Sequence, residues 1–275
     1  MDRKYWHSAF CGATEWDLKK NKKDLKYERE HVLTKEPLRM DLLVIKKRPK
    51  AKIQSDIGKI FRIHNVVEFK GSGDALNIDV YHKIVAYACL YKSMGEHVDD
   101  IPAREVTITI IREAYPRELF KILKESDINI EERYPGIFYL TGNVMFPTQI
   151  IVTGRLGEKH SALKILSKKA KESDVRNFIQ EARFATEPGD KENIDAVLQV
   201  SVSANKKLYK EVKEEDYDMC QALEELMKDT IEEKEDNVRL VDIRTLMKNM
   251  KLTAEQAMKA LGISASDQAK YSSLL

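Results

Sequence analysis

This chain has no P-loop, no GxGxxG fingerprint and no GxSxG elbow, so nucleotide-driven and serine-hydrolase chemistries lack the residues they need. Its histidines, His31, His64, His82 and His160 among them, form no HxxxH or HxH pattern, which argues against a histidine metal site. Cysteine is scarce: Cys11, Cys89 and Cys220 are odd in number and far apart, without CxxC spacing. Neither a disulfide framework nor a zinc site is indicated, and a reducing cytoplasm is the simplest setting. The first residues, Met1 to Trp6, hold no apolar signal core, and no apolar run is long enough to span a bilayer. The expectation is a soluble cytoplasmic protein with no membrane partner.

What is present is an ordinary globular balance, 43% hydrophobic and 33% charged over 275 residues, enough for one sizeable core and a smaller helical region. The net charge of +2 hides an asymmetry. Residues 1 to 50 carry 14 lysines and arginines against 8 acids, whereas residues 211 to 275 carry 9 against 15. Basic residues gather between Lys19 and Lys23 and again at Lys46, Lys47, Arg48, Lys50 and Lys52. The second cluster either tracks a phosphate backbone or is a solvated hairpin tip.

Two apolar runs of strand length dominate the first half: Leu42 to Ile45, and Val66 and Val67 with Phe69. Asp41 precedes the first, and Glu68 and Lys70 interrupt or follow the second. A carboxylate buried there without a partner would cost several kcal/mol or be forced to protonate, so Asp41 and Glu68 call for a cation or a hydrogen-bond network. Strand alternation puts Val66, Glu68 and Lys70 on one face and Val67 and Phe69 on the other. If the two runs form a hairpin across residues 46 to 65, Asp41 can lie beside Glu68, within reach of one divalent ion. Oxygen ligands of this kind suit Mg²⁺, at roughly 2.0 to 2.1 Å.

The arrangement resembles the PD-(D/E)xK nuclease superfamily, whose motif is an acid on one strand and Glu/Asp-x-Lys on the next. Asp41, Glu68 and Lys70 match it; Pro37 stands four positions before Asp41, with Met40 in the usual place of the proline. A glycine turn from Gly71 to Asp74 and an amphipathic stretch from Asn77 to Lys92 follow in the expected order. The pattern from Tyr81, His82 and Lys83 to Leu90, Tyr91 and Lys92 is also similar to the transposase-like, recombination-promoting subset.

That resemblance implies a restriction-endonuclease-like α/β fold: an α-β-β-β-α-β core with a mixed sheet, followed by a helical C-terminal region. It implies a Mg²⁺- or Mn²⁺-dependent endodeoxyribonuclease acting on DNA. Asp41, Glu68 and the carbonyl of Phe69 would hold the ion, and Lys70 would position the hydrolytic water. In the family the first helix often adds an acid, for which Glu15 is the candidate, with Glu28 or Glu30 as substitutes. Lys46, Lys47, Arg48, Lys50 and Lys83 are the expected nucleic-acid contacts. The competing reading is a catalytically inactive nuclease-fold protein that binds nucleic acid or protein, its triplet a structural ion-pair cluster. An RNA-directed nuclease is a third.

The rest of the chain reads coarsely. Residues 4 to 18 are expected to be helical, Leu25 to Leu33 a strand, Glu105 to Ile111 a buried strand, and Arg117 to Leu123 a helix. Ile137 to Leu140 and Gln149 to Val152 are short strands. A boundary near 158 separates the nuclease-like domain, 1–158, from a helical region, 159–275. That region comprises a helix from Leu163, a helix over Val175 to Ala182, a third over Ile194 to Val212 and an acid-rich stretch over 214–250. The acid-rich helix is a candidate for homo-oligomer contacts. The last segment has a Thr253 cap and a Gly262 stop, and looks like a packing module: the helix after it carries only Lys270 as a cation, poor for DNA contact.

Overall fold

The computed structural model describes residues 3–29, 42–71, 73–187, 189–215 and 217–275. Asp41 and Glu30 lie outside them. The chain is α/β, with a mixed seven-stranded sheet and a helical C-terminal part.

Helix α1 (Arg3–Asp17) precedes strands β1 (Leu25–Glu28), β2 (Leu42–Lys47) and β3 (His64–Lys70), which form an antiparallel meander. Helix α2 (Ile78–Lys92) starts where the Asn77 side chain accepts from the Val80 amide at 2.9 Å. It carries the chain over the sheet to β4 (Val106–Arg112), which pairs parallel with β3. The α-β-β-β-α-β order read from the sequence is therefore present. Helix α3 (Arg117–Glu125) leads to β5 (Ile128–Tyr134), β6 (Ile137–Gly142) and β7 (Thr148–Val152), and β7 returns beside β4, giving the order β1-β2-β3-β4-β7-β6-β5. Strand β5 was not foreseen: as an edge strand rich in exposed Glu131, Glu132 and Arg133, it has no apolar run to betray it.

Register divides the side chains between two faces. Val44, Val66, Ile108, Ile110, Ile150, Val152 and Phe138 share the face covered by α2 and α3, where they pack with Tyr81, Ile84, Ala88, Tyr91, Leu119, Phe120 and Leu123. Each such buried side chain contributes about 1.5–3 kcal/mol. Val67, Phe69 and Ile111 face α1, through His7, Phe10, Cys11 and Thr14.

Behind α1 lie α4 (Ser161–Lys164), α5 (Glu172–Ala182), α6 (Asp190–Ala204), α7 (Lys206–Glu215) and α8 (Tyr217–Leu226). Helix α6 lies so close to α1 that a Cβ on Gly12 would stand 2.9 Å from the Asn193 carbonyl oxygen. Trp16 meets Phe178 of α5 edge to face. The single helix expected over 194–212 is two, because the buried Asn205 amide donates to the carbonyls of Ile165, Ser167 and Ser201 and ends α6. Compact units are 1–226 and 227–275. The boundary expected near 158 falls inside the first, since α6 and α4 pack on α1.

The second unit holds α9 (Lys228–Met250), α10 (Ala254–Ala260) and α11 (Ala265–Ser272) around Leu240, Ile243, Ala257, Met258 and Tyr271. Thr253 caps α10, as the sequence suggested, and Gln256 makes the cap reciprocal. Asp236 accepts from the Tyr271 hydroxyl at 2.5 Å and pairs with Lys270. No helix among the described residues is long and apolar enough to cross a membrane.

Candidate active site

Strand β3 ends in Glu68, Phe69 and Lys70, and alternation sends Glu68 and Lys70 to the α2 face while Phe69 stacks on Phe10 and Trp6 of α1. The Glu68 residue is only 6% exposed. Its Oε1 lies 2.5 Å from the Lys70 ammonium. Parallel pairing sets Arg112, the last residue of β4, directly beside Lys70. The Arg112 Nε is buried with no hydrogen-bond partner, and desolvation pulls the guanidinium below its ordinary pKa. Arg112 is the residue that sequence reasoning missed. Its signal was slight, a cation closing an apolar β-branched run, and only the register reveals that it adjoins Lys70.

Past Lys70 the Gly71 amide donates to the Asp74 carboxylate at 2.9 Å, fixing the turn toward α2. Across β2, Leu42 is the register partner of Glu68. The antiparallel pairing anticipated for the two apolar runs is therefore formed up to the residue that follows Asp41 in sequence.

The other expected site residues are placed elsewhere. Glu15 sits on α1, against the opposite face of the sheet from Glu68, and is held by Arg29 at 2.7 Å and the Asn193 amide at 3.2 Å. It does not join Glu68. Glu28 pairs with Lys46 at 2.8 Å and with Lys26 at 3.2 Å, near the far end of β2. Lys46 is the partner of His64, six residues before Lys70 on β3. At a rise of about 3.3 Å per residue the basic connection begins roughly 20 Å from Lys70. There the Lys47 ammonium donates to the Arg48 and Ala51 carbonyls, and Lys50 takes a left-handed conformation at φ 66°. These residues build the turn at the end of the sheet opposite Glu68. Lys83 is exposed on α2, with its ammonium 5.5 Å from the Tyr87 ring centre.

A second cluster had no sequence signature. Asp17, at the end of α1, accepts from His160 Nδ1 at 2.6 Å and from the Ser55 hydroxyl. Asp17 and His160 border a cleft of about 560 Å³ together with Trp16, Lys19 and Lys20. Three segments distant in sequence meet here, so no local spacing could have announced it.

No protein-family model, no curated protein and no solved structure matches the chain.

Proposed function

We propose that the chain is a metal-dependent phosphodiesterase acting on DNA, an endonuclease with a restriction-endonuclease-like core of the PD-(D/E)xK kind. The observation that carries this reading is Glu68 and Lys70 together on one face at the carboxyl end of a central strand, with Arg112 alongside. Carboxyl ends of parallel strands are where open α/β sheets bind their ligands.

The donor chemistry fits a hard divalent cation. Mg²⁺ is held through one or two carboxylates, with waters and substrate phosphates completing its shell. Among the described residues Glu68 supplies one carboxylate at this site, and Asp41 is the second by sequence. Mg²⁺ or Mn²⁺ bound there would supply Lewis-acid stabilisation of charge on the scissile phosphate. The chain's own residues do the rest. Glu68 holds Lys70 in place; the Lys70 ammonium orients the attacking water and, with Arg112, offsets negative charge as the phosphorus becomes five-coordinate. Partial burial of both cations strengthens that interaction relative to bulk water.

The test is nicking of supercoiled plasmid with Mg²⁺, Mn²⁺ or EDTA. Metal-dependent nicking that disappears in Lys70→Ala, Glu68→Gln and Asp41→Ala is expected; nicking at the wild-type rate in matched preparations of these variants refutes the assignment.

A second reading, a binding module without hydrolytic activity, is favoured by the closeness of the Glu68–Lys70 contact, which satisfies the carboxylate without any ion. Calorimetric titration with Mn²⁺ separates the two: heat lost in Glu68→Gln supports the nuclease, whereas no heat in the wild type supports the module.

A further inference from the structure

Beyond the end of β7 the chain turns through Thr153, Gly154 and Arg155 and closes a cavity of about 140 Å³ with Lys164, Ser167, Lys169 and Lys171. Four cations line it against one acid, Asp174. That acid is already engaged, by the Lys164 ammonium at 2.5 Å and the Lys171 amide at 3.1 Å. Arg155, Lys169 and Lys171 are exposed and make no ion pair among the described residues.

The cavity walls are fixed. Glu113 accepts from the Ser167 hydroxyl at 2.7 Å and the Lys168 amide at 2.9 Å. The Arg155 guanidinium lies 4.2 Å from the Tyr115 ring centre. On the other side the β5–β6 turn comes so near that a Cβ on Gly136 would stand 2.7 Å from the Arg155 carbonyl carbon. Gly136 has φ 76° and its carbonyl accepts from Val152, which ties the turn to the strand that feeds the cavity.

Position gives the cavity its meaning. Lys70, Arg112 and Val152 are register partners across three neighbouring strands, and the cavity begins at the next residue, Thr153. Two strand spacings make that row roughly 10 Å. Lys70 and Arg112 stand at the carboxyl ends of β3 and β4, and the cavity with Arg155, Lys169 and Lys171 lies just past the carboxyl end of β7.

We propose that this cavity seats a backbone phosphate of the DNA strand whose scissile phosphate lies at Lys70, so that the strand runs along the carboxyl edge of β3, β4 and β7. The proposal rests on the nuclease reading for its register, but the binding it describes can be measured without cleavage. The basic connection around Lys46 to Lys50, at the opposite end of the sheet, lies off this track.

The experiment is binding of a fluorescent 20-mer duplex in EDTA across a salt series, comparing wild type, the triple variant Arg155→Gln, Lys169→Gln, Lys171→Gln, and the far-end variant Arg48→Gln, Lys50→Gln. The triple variant should lose about 1 from the slope of log K against log salt and bind at least about tenfold more weakly at low salt, whereas the far-end variant keeps the wild-type slope. All substituted side chains are exposed, and melting curves check folding. An unchanged slope in the triple variant overturns the proposal. So does competition by inorganic phosphate at low millimolar concentration, which would make the cavity a free-phosphate site. A slope that falls as expected in a protein that nicks no plasmid leaves the cavity standing and removes the nuclease reading; nicking lost in Lys70→Ala with an unchanged slope in the triple variant does the reverse.

Discussion

The two faces of the sheet handle polar groups in opposite ways. The α1 face is polar in its middle: Asn65, Thr107, Thr109 and Gln149 are all buried there. They are neutral and bonded into one another and into the backbone, except that the Gln149 Oε1 has no hydrogen-bond partner among the described residues. The Asn65 amide donates to the Ile45 and Arg62 carbonyls, its oxygen accepts from the Arg62 amide and the Thr107 hydroxyl, and Gln149 donates to Thr109 and the Ile57 carbonyl. The α2 face carries His64 at the start of β3 and Thr148 at the start of β7, is apolar between, and ends in Glu68, Lys70 and Arg112. Neutral groups with fixed partners in mid-strand specify packing. Charges gathered at the strand ends mark the candidate site.

The sharpest way to break the comparison is at Lys70. Under the nuclease reading Lys70→Ala should slow plasmid nicking by at least about 10²-fold, equivalent to about 3 kcal/mol of barrier, without abolishing duplex binding in EDTA. Arg112→Gln should act in the same direction but less, since its charge sits one strand farther from Glu68. If Arg112→Gln lowered only the melting temperature and left nicking rates per folded molecule intact, the guanidinium would belong with the packing of the sheet.

On the other face the expected loss is in stability. Asn65→Ala removes four hydrogen bonds at a fully buried side chain, to the Ile45 carbonyl, the Arg62 amide and carbonyl and the Thr107 hydroxyl, so urea unfolding should show a loss of about 3 kcal/mol. Nicking by the folded fraction should be unchanged. Asp17→Asn tests the buried cluster at the end of α1. The amide retains shape but cannot accept from His160 and Ser55 as a charged carboxylate does, and a loss of about 2 kcal/mol is expected in the same assay. An equal loss of nicking in Asp17→Asn would show that the cleft beside it takes part in the reaction.

The same contrast explains how much could be read from the chain. The strands β1, β2 and β3, the helix α2 and the buried β4 were legible because apolar runs, helical spacing after Asn77 and β-branched residues each point to one structure. Glu68 and Lys70 were legible because two charges break an apolar strand pattern at a spacing of two. Glu15 was not, because sequence gives no hint of which sheet face a preceding helix will cover; α1 covers the Phe69 face, and there Arg29 and Asn193 claim the carboxylate. The basic run at Lys46 to Lys50 was conspicuous in sequence yet lies at the far end of an antiparallel pair. Arg112, Arg155, Lys169 and Lys171 were inconspicuous in sequence and meet only through the parallel register of β3, β4 and β7. The boundary expected near 158 lies inside the compact unit 1–226, because helices that follow a sheet in sequence can still pack on its first helix.

The smallest expected effect sharpens the comparison at the other end of β3. His64 lies on the α2 face with its Nδ1 2.8 Å from the Tyr91 hydroxyl, and burial, helped by the nearby Lys46 charge, lowers its pKa below the ordinary imidazole value. A histidine whose folded pKa is depressed binds fewer protons in the native state than in the unfolded chain. Stability from this group is therefore complete above about pH 6.5, the unfolded value, and declines as pH falls through that value toward the folded one. The wild type should lose stability in urea between about pH 7 and pH 5, and His64→Gln should flatten that decline while keeping a partner for Tyr91. A decline of the same steepness in both proteins would transfer the acid sensitivity to other groups and leave His64 as a neutral hydrogen-bonding residue, matched to Asn65 on the opposite face.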